Sequence, residues 1–203
     1  MPDYSQVILH AKEFVRRTFA EDHSGHDPHH SFRVHALAIR IAEQENACLP
    51  IVELAALLHD ADDHKLSPDT SEYCLRAAAF LRQEHIPPDE IERIVHIIQQ
   101  ISFSRNTLPP DTVEAQCVQD ADRLDALGAI GIGRAFAFGG SRGRAMYAPD
   151  GTDNTSTIAH FYDKLLLLKD RMNTETGRRM AETRDRCLRS FLEEFLAEWN
   201  GVR

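Results

Sequence analysis

Apolar side chains recur at helical spacing along most of the chain, whereas the alternation typical of β-strands is scarce. Between Val7 and Phe19, apolar residues lie three or four positions apart, which places them on one face of a helix. The same spacing predicts further helices over 28–46, 50–62, 71–85, 88–103, 112–138, 158–172 and 174–199. Residues 50–62 are apolar nearly all round, so this helix is predicted to lie at the centre of the fold. The pattern therefore predicts an all-α protein.

Residues 139–157 interrupt the helical pattern. They contain four glycines and one proline and show no apolar periodicity, which predicts one long loop. The loop is either a mobile lid that carries Arg142 and Arg144 or an ordinary connection. Neither an internal repeat nor a linker divides the chain. We therefore expect one helical domain over 1–203, with the C-terminal helices, 158–199, packed on the bundle.

Charge and composition narrow the class of protein. The 203 residues include 23 Lys and Arg and 32 Asp and Glu, which gives a formal net charge of −9. This negative charge argues against binding long nucleic acid. No apolar run approaches the roughly 20 residues of a membrane span, and the N-terminus lacks the pattern of a signal peptide. The four cysteines form no CxxC pair. These features predict a cytoplasmic protein, and its 11 histidines and many acids suit a divalent metal site.

Four polar residues lie where the apolar pattern would not place them. His59 and Asp60 end the most apolar helix, Asp122 lies in a helix with an apolar face, and His30 is in the first turn of the second helix. Burying such groups is costly unless they are paired or bound to a metal. Two imidazoles and two carboxylates suit a divalent ion such as Mn²⁺, Fe²⁺, Co²⁺, Ni²⁺ or Zn²⁺. Four ligands would leave two octahedral positions, for water and a substrate phosphate.

Sequence segments around these residues resemble the HD superfamily of metal-dependent phosphohydrolases, whose signature is H…HD…D on a helical bundle. The segments HDPHHSFRV and LLHDADDHK look like the opening and HD motifs of a subgroup of small bacterial HD-domain hydrolases. VQDADRLDALGAIGIGRAFAFGG and HFYDKLLLLKDRMNTETGRRMA look like two later blocks of that subgroup. The resemblance implies an HD-domain bundle that holds one divalent ion through His30, His59, Asp60 and Asp122. Mn²⁺ is favoured, with Mg²⁺, Ni²⁺, Co²⁺, Fe²⁺ and Zn²⁺ as alternatives.

The chain departs from the subgroup at one position. Where the subgroup tends to have His-Ser-Phe-Ser, this chain has Ile101 followed by Ser-Phe-Ser. A contact made by that histidine would be missing here.

Asp63 and Asp62 are candidates for orienting or deprotonating the attacking water. Asp63 lies four residues after His59, so both face the same side if the helix continues. The alternative is that Asp62 and Asp63 form an exposed acidic helix end.

Arg33, Lys65 and Arg123 are candidates for binding the substrate phosphate. Arg33 lies three residues after His30, Lys65 follows the HD segment, and Arg123 follows Asp122 directly. Arginine matches phosphate oxygens with its planar fork, and lysine supplies a point charge. Each of the three could instead form a structural ion pair.

Two other histidines are not expected to bind a metal. His35 is expected at the surface, as a solvated histidine of the second helix. His96 lies among apolar residues and is expected to be a core histidine rather than a ligand of a second metal.

The leading hypothesis is a divalent-metal-dependent phosphohydrolase that cleaves phosphate or pyrophosphate bonds of nucleotides or similar small phosphorylated compounds. A bound cation lowers the pKa of its water and polarises the phosphoryl oxygen. One alternative is a phosphodiesterase acting on cyclic nucleotides or nucleotide alarmones, which needs further ligands for a second metal. Another is a non-catalytic sensor that retains the site for binding a metal or a nucleotide. The sequence leaves the oligomeric state open.

Overall fold

The computed structural model describes residues 2–20, 28–62, 74–101, 109–149 and 155–202, which form nine α-helices and no β-strand. The helices are α1 (Tyr4–Thr18), α2 (Pro28–Glu45), α3 (Leu49–Leu58), α4 (Leu75–Gln83), α5 (Pro88–Ile101), α6 (Val113–Asp125), α7 (Gly128–Ser141), α8 (Thr157–Asp163) and α9 (Glu175–Trp199). Two 3-10 turns, Leu165–Leu167 and Lys169–Arg171, lie between α8 and α9. None of the described helices combines the length and the apolar character needed to cross a bilayer. The prediction of an all-α fold is confirmed.

Three predicted helices differ from the observed ones. The segment predicted as one helix over 112–138 is divided into α6 and α7, because Leu127 takes an extended backbone conformation at φ −113° and ψ 162°. The helix α3 ends at Leu58, and residues 59–62 form turns instead of continuing the helix. The segment predicted as one helix over 158–172 is broken into α8 and the two 3-10 turns, because Lys164 leaves the helical backbone conformation at φ −136° and ψ −59°. At the predicted loop, α7 continues to Ser141, so the irregular segment begins later than expected.

Side-chain oxygens fix where several helices begin. The Asp3 carboxylate accepts hydrogen bonds from the backbone of Ser5 and Gln6 in the first turn of α1. Thr174 caps α9 by accepting from the Gly177 amide at 2.9 Å. Such caps satisfy amide groups that have no partner within the helix. Pro28 opens α2 as predicted, while its expected cap lies outside the described residues.

The chain forms two compact units, Met1–Asp122 and Arg123–Arg203. In the first unit, α3 packs against α1, α2 and α5. Every side chain from Leu54 to Leu58 is fully buried, which confirms the predicted central position of this helix. Burial on all sides explains why its sequence lacks a polar face.

In the second unit, α7 packs against α8 and α9. Phe136 of α7 contacts the rings of Phe161, Phe191 and Phe195, with centroids 5.8 to 6.0 Å apart. Aromatic contacts of this kind supply a large buried apolar area. The expectation of a single domain, with residues 158–199 packed on the bundle, stays a prediction.

Candidate metal centre

The packing of α2 against α3 brings two histidines together. His30 lies in the first turn of α2, and His59 directly follows the last residue of α3. Their rings are 5.2 Å apart between centroids. Further along the same pair of helices, His35 of α2 bonds to Glu53 of α3. These two contacts show that α2 and α3 run antiparallel, so the start of one helix faces the end of the other.

Two carboxylates complete the cluster. Asp60 Oδ2 lies 3.4 Å from His30 Nε2 and 3.3 Å from His59 Nε2. Asp122 Oδ1, from α6, lies 3.4 Å and 4.0 Å from the same two nitrogens. The structure thus brings together all four residues that the sequence predicts as ligands.

The cluster has a buried side and a more open side. The side chains of His30 and His59 are 2% and 3% exposed, whereas those of Asp60 and Asp122 are 14% and 30% exposed. A molecule reaching the cluster from solvent therefore approaches on the side of the carboxylates.

The hydrogen bond of His59 to Ala56 fixes the tautomer of its neutral ring. Its Nδ1 lies 2.9 Å from the carbonyl oxygen of Ala56. Because a carbonyl can only accept, Nδ1 carries a proton and donates it, which leaves the lone pair of a neutral ring on Nε2. That Nε2 atom is buried and has no hydrogen-bond partner, although the oxygens of Asp60 and Asp122 lie within 4.0 Å of it.

The charges within the cluster shift its pKa values. Burial acts to lower the pKa of His59, but the negative charges of Asp60 and Asp122 outweigh it, and the pKa is raised. Burial acts to raise the pKa of Asp122, but the hydrogen bond and charge of His30 and the charge of His59 outweigh it, and the pKa is lowered. The two shifts are reciprocal, since the positive form of an imidazole and the negative form of a neighbouring carboxylate stabilise each other.

The spacing of these atoms fits a divalent cation. The ligand atoms of His30, His59 and Asp122 all lie within 4.8 Å of one another. An ion about 2.1 Å from each ligand would separate neighbouring ligand atoms by about 3.0 Å in octahedral and about 3.4 Å in tetrahedral geometry. The observed nitrogen–oxygen separations, 3.3 to 4.0 Å, begin within this range and extend above it. A cation among these atoms would also partner the orphaned lone pair of His59.

Asp62 has a structural partner that the sequence did not reveal. Its two carboxylate oxygens accept hydrogen bonds from the amides of Arg76 and Ala77, each at 3.0 Å, in the first turn of α4. The residue is 5% exposed, and a carboxylate at a helix N-terminus is favoured by the helix dipole. Asp62 therefore caps α4 from a distance, and the catalytic role expected of it has no support in its hydrogen bonds.

The other predicted site residues have different outcomes. Arg33 is half-buried on α2, one turn after His30. Arg123 donates a hydrogen bond from its guanidinium to the carbonyl of Arg171, so part of its donor capacity serves the second unit. Asp63 and Lys65 lie outside the described residues. Because α3 ends at Leu58, a continuous helix does not connect His59 with Asp63.

Two structural predictions for histidines are wrong. His35 is 6% exposed rather than at the surface, and its Nε2 lies 2.9 Å from Glu53 Oε2. His96 is exposed rather than buried, and its ring contacts Asp111 and Gln100. The acid in the facing helix is what makes burial of His35 tolerable, and the sequence of α2 alone carries no sign of it.

Comparison with known proteins gives a consistent result. A family model described as "HD domain" matches residues 29–127. The chain is 42% identical over 199 residues to the uncharacterized protein YpgQ of Bacillus subtilis, covering 94% of this chain and 93% of that one.

Solved structures of similar proteins match over nearly the whole chain. An HD-superfamily hydrolase from Bacillus thuringiensis matches with a TM-score of 0.82 and 42% identity, covering 97% of this chain and 98% of that one. The structure of B. subtilis YpgQ in complex with ADP matches with a TM-score of 0.82 and 39% identity, covering 96% and 95%.

Proposed function

Because the chain belongs to the HD-domain superfamily of hydrolases, we propose that it is a divalent-metal-dependent phosphohydrolase. Its substrates would be nucleotides or similar small phosphorylated compounds, cleaved at phosphate or pyrophosphate bonds. The observation that carries the proposal is the buried Nε2 of His59, which has no hydrogen-bond partner and lies within 4.0 Å of the oxygens of Asp60 and Asp122. A cation at this point would take the place of a proton on Nε2 and would be attracted by both carboxylates.

The four ligands differ in what they contribute. The Ala56 carbonyl holds the ring of His59 in the orientation and tautomer that a ligand needs. His30 Nε2 faces both carboxylates at 3.4 Å, while Asp60 and Asp122 supply the negative charge and the open side. Once held by these four residues, a divalent ion would lower the pKa of a coordinated water and polarise a phosphoryl oxygen.

Residues around the ligands would position the substrate. Arg33 lies on the same helix as His30 and one turn further on, where its guanidinium would bind phosphate oxygens. Lys65 would add a second positive charge, and Asp63 would orient the attacking water. The roles of Lys65 and Asp63 rest on the sequence alone.

Nucleotides are the favoured substrate class for two reasons. The similar protein YpgQ has been solved in complex with ADP. The chain as a whole carries a net charge of −9, so it repels polyanions at long range and suits a small phosphorylated molecule neutralised at one point by a cation.

A screen of activity against metals and substrates tests this function. Nucleoside mono-, di- and triphosphates, pyrophosphate and cyclic nucleotides are each incubated with Mn²⁺, Mg²⁺, Co²⁺, Ni²⁺ or Zn²⁺, and phosphate or pyrophosphate release is measured. We expect metal-dependent release that Asp60→Ala abolishes and that Glu92→Gln, an exposed carboxylate change on α5, leaves unchanged. Undiminished turnover in Asp60→Ala would refute the proposed mechanism.

The alternatives predict different results. A two-metal phosphodiesterase would bind two ions per chain, yet within the described ranges the only cluster with metal-ligand spacing is that of His30, His59 and Asp122. A sensor would bind a nucleotide tightly without hydrolysing it in the presence of any of the metals. Metal content per chain and binding without turnover therefore separate the three functions.

A further inference from the structure

A group of basic side chains lies in the second unit, where α7 ends. Arg142 and Arg144 both place their guanidinium groups against the ring of Phe138, at 5.5 and 5.4 Å from its centroid. A guanidinium at this distance from an aromatic face is held by a cation–π attraction. Both arginines are exposed.

The backbone that carries these arginines is fixed by hydrogen bonds. The amide of Arg144 donates to the carbonyl of Gly139 at 2.9 Å, and the amide of Thr157 donates to Ala145 at the same distance. Gly139 is required for this approach, since a Cβ there would lie 2.2 Å from Thr157 Oγ1. The turn through Gly143 has a positive φ of 66°, which glycine adopts without strain. The two guanidinium groups thus start from a defined scaffold.

A histidine on α8 completes the group. Burial lowers the pKa of His160, and the positive charges of Lys164 and Arg144 lower it further, against the opposing charge of Asp163. The ring of His160 is half-buried. The amides of Thr157 and Ile158 donate to the carbonyls of Ala145 and Met146, each at 2.9 Å, and this holds the first turn of α8, which precedes His160, against the segment that follows Arg144. A neutral imidazole has one N–H group, which can donate a hydrogen bond to an anion.

The charge of this unit also favours an anion. Residues 123–203 carry 13 Lys and Arg against 11 Asp and Glu, a formal charge of +2, although the whole chain is at −9. Two guanidinium groups on one ring repel each other, and an anion between or beside them offsets this repulsion. The planar guanidinium group of arginine can donate two parallel hydrogen bonds to the oxygens of one phosphate group.

We propose that Arg142, Arg144 and His160 form a binding site for the phosphate group of a small phosphorylated molecule. The site uses residues of the second unit only and needs no metal. Its binding of phosphate can therefore be tested separately from the proposed function of the His30, His59, Asp60 and Asp122 cluster.

Pyrophosphate binding in the presence of a chelator tests this site without the metal centre. Isothermal titration calorimetry is done on the full chain in EDTA with pyrophosphate and, separately, with inorganic phosphate. We expect Arg142→Gln and Arg144→Gln each to weaken pyrophosphate binding about tenfold, the effect of one lost charge-assisted hydrogen bond. The control Arg186→Gln removes an exposed arginine of α9 in the same unit, and it should change the affinity by about twofold or less.

The histidine supplies a second measurement. Because a bound anion adds negative charge beside the ring, pyrophosphate should raise the pKa of His160, followed by NMR of the imidazole protons. The proposal is overturned if both arginine variants bind pyrophosphate as tightly as the wild type, if Arg186→Gln weakens binding as much, or if saturation leaves the pKa of His160 unchanged. Circular dichroism of each variant shows whether the helices are retained.

The source of the phosphate group is resolved by kinetics. If Arg144→Gln weakens pyrophosphate binding and raises the KM of the hydrolysed compound, the phosphate belongs to the substrate. If it weakens binding but leaves kcat and KM unchanged, the phosphate belongs to a separate ligand. Either result supports the site. The metal centre is tested separately with Asp60→Ala, which should lose metal-dependent hydrolysis and keep pyrophosphate binding in EDTA.

Discussion

Replacing Asp60 by Asn gives the sharpest test of the metal centre, because the amide keeps the shape of the side chain and removes its charge. Asp60 Oδ2 is 3.4 Å from His30 Nε2 and 3.3 Å from His59 Nε2, so this oxygen would be near enough to hold a cation bound to both histidines. A ligand that binds only the folded state stabilises it by about 2.7 kcal/mol at a concentration of about 100 times its Kd. At that concentration the wild type should gain about this amount from Mn²⁺.

The loss in the variant follows from the same relation. Losing one charge-assisted contact costs about 1.4 to 3 kcal/mol, which raises the Kd about tenfold to about a hundredfold. At the same metal concentration, the gain then falls to between about 1.4 and about 0.4 kcal/mol. Asp60→Asn should therefore retain between about one sixth and about one half of the wild-type stabilisation by metal.

Thermal unfolding with and without metal measures this gain. For a chain of this size, 2.7 kcal/mol corresponds to a rise in Tm of about 5 to 11 °C. The gain of each protein is compared with its own metal-free state, so any change in the stability of the metal-free variant cancels. Glu92→Gln, the exposed control on α5, should show the full gain. A full gain in Asp60→Asn would refute the assignment of this oxygen as a ligand.

Three further changes test the structure around the site. The pKa of His35 is lowered, by burial first and by the charge of Lys12, against the bond and charge of Glu53. The folded pKa thus lies below the unfolded value of about 6.5, so the unfolded chain binds protons more readily and stability is lost as pH falls below about 6.5. In urea titrations between pH 7.5 and 5.5, the free energy of unfolding of His35→Gln should fall less with decreasing pH than that of the wild type. The reasoning is contradicted if His35→Gln shows the same pH dependence as the exposed control His85→Asn. Asp62→Asn keeps one acceptor for the two amides of α4, so the free energy of unfolding should fall by about 1 to 2 kcal/mol while kcat stays the same; a fall in kcat without a loss of stability would instead favour a catalytic role. A Cβ at Gly131 would lie 2.2 Å from the Ala126 carbonyl oxygen, whereas one at Gly133 meets nothing within 4 Å. Gly131→Ala should therefore destabilise the protein by about 1 to 3 kcal/mol and Gly133→Ala stabilise it by about 0.5 to 1 kcal/mol, and equal effects in denaturant titrations would show that the contact at Gly131 is not limiting.

The positions of the helices follow from local information. Apolar spacing of three and four, and starting residues such as Pro28 and Pro88, predicted most helices because these signals act within a few turns of the chain. The exceptions are segments whose local pattern was still helical. The run after Asp163 has apolar residues at suitable spacing, yet it forms 3-10 turns after the backbone leaves the helix at Lys164. The spacing of apolar residues within one segment does not predict where the chain must turn.

The four proposed ligands could be predicted before the structure because their chemistry conflicts with their surroundings. His59 and Asp60 end a helix that is otherwise apolar, and a buried imidazole and carboxylate require compensation. The mutual distances of the four ligands, and the hydrogen bond that fixes the ring of His59, depended on how the helices pack. The sequence carried the resemblance to the HD family, and the comparisons confirmed it.

The tertiary structure decided the roles of residues whose partners are far away in the chain. The sequence suggested Asp62 as an acid of the site, but its carboxylate accepts hydrogen bonds from two amides of α4, which lie 14 and 15 residues further along the chain. His35 and His96 exchanged their expected environments, because burial of a histidine depends on whether a neighbouring helix offers an acid, as Glu53 does for His35. The sequence by itself determined where most helices lie and which polar residues are candidates for a metal site, since both depend on short-range pattern and side-chain chemistry. Which polar group meets which partner depends on contacts between distant segments, and only the packed helices specify those.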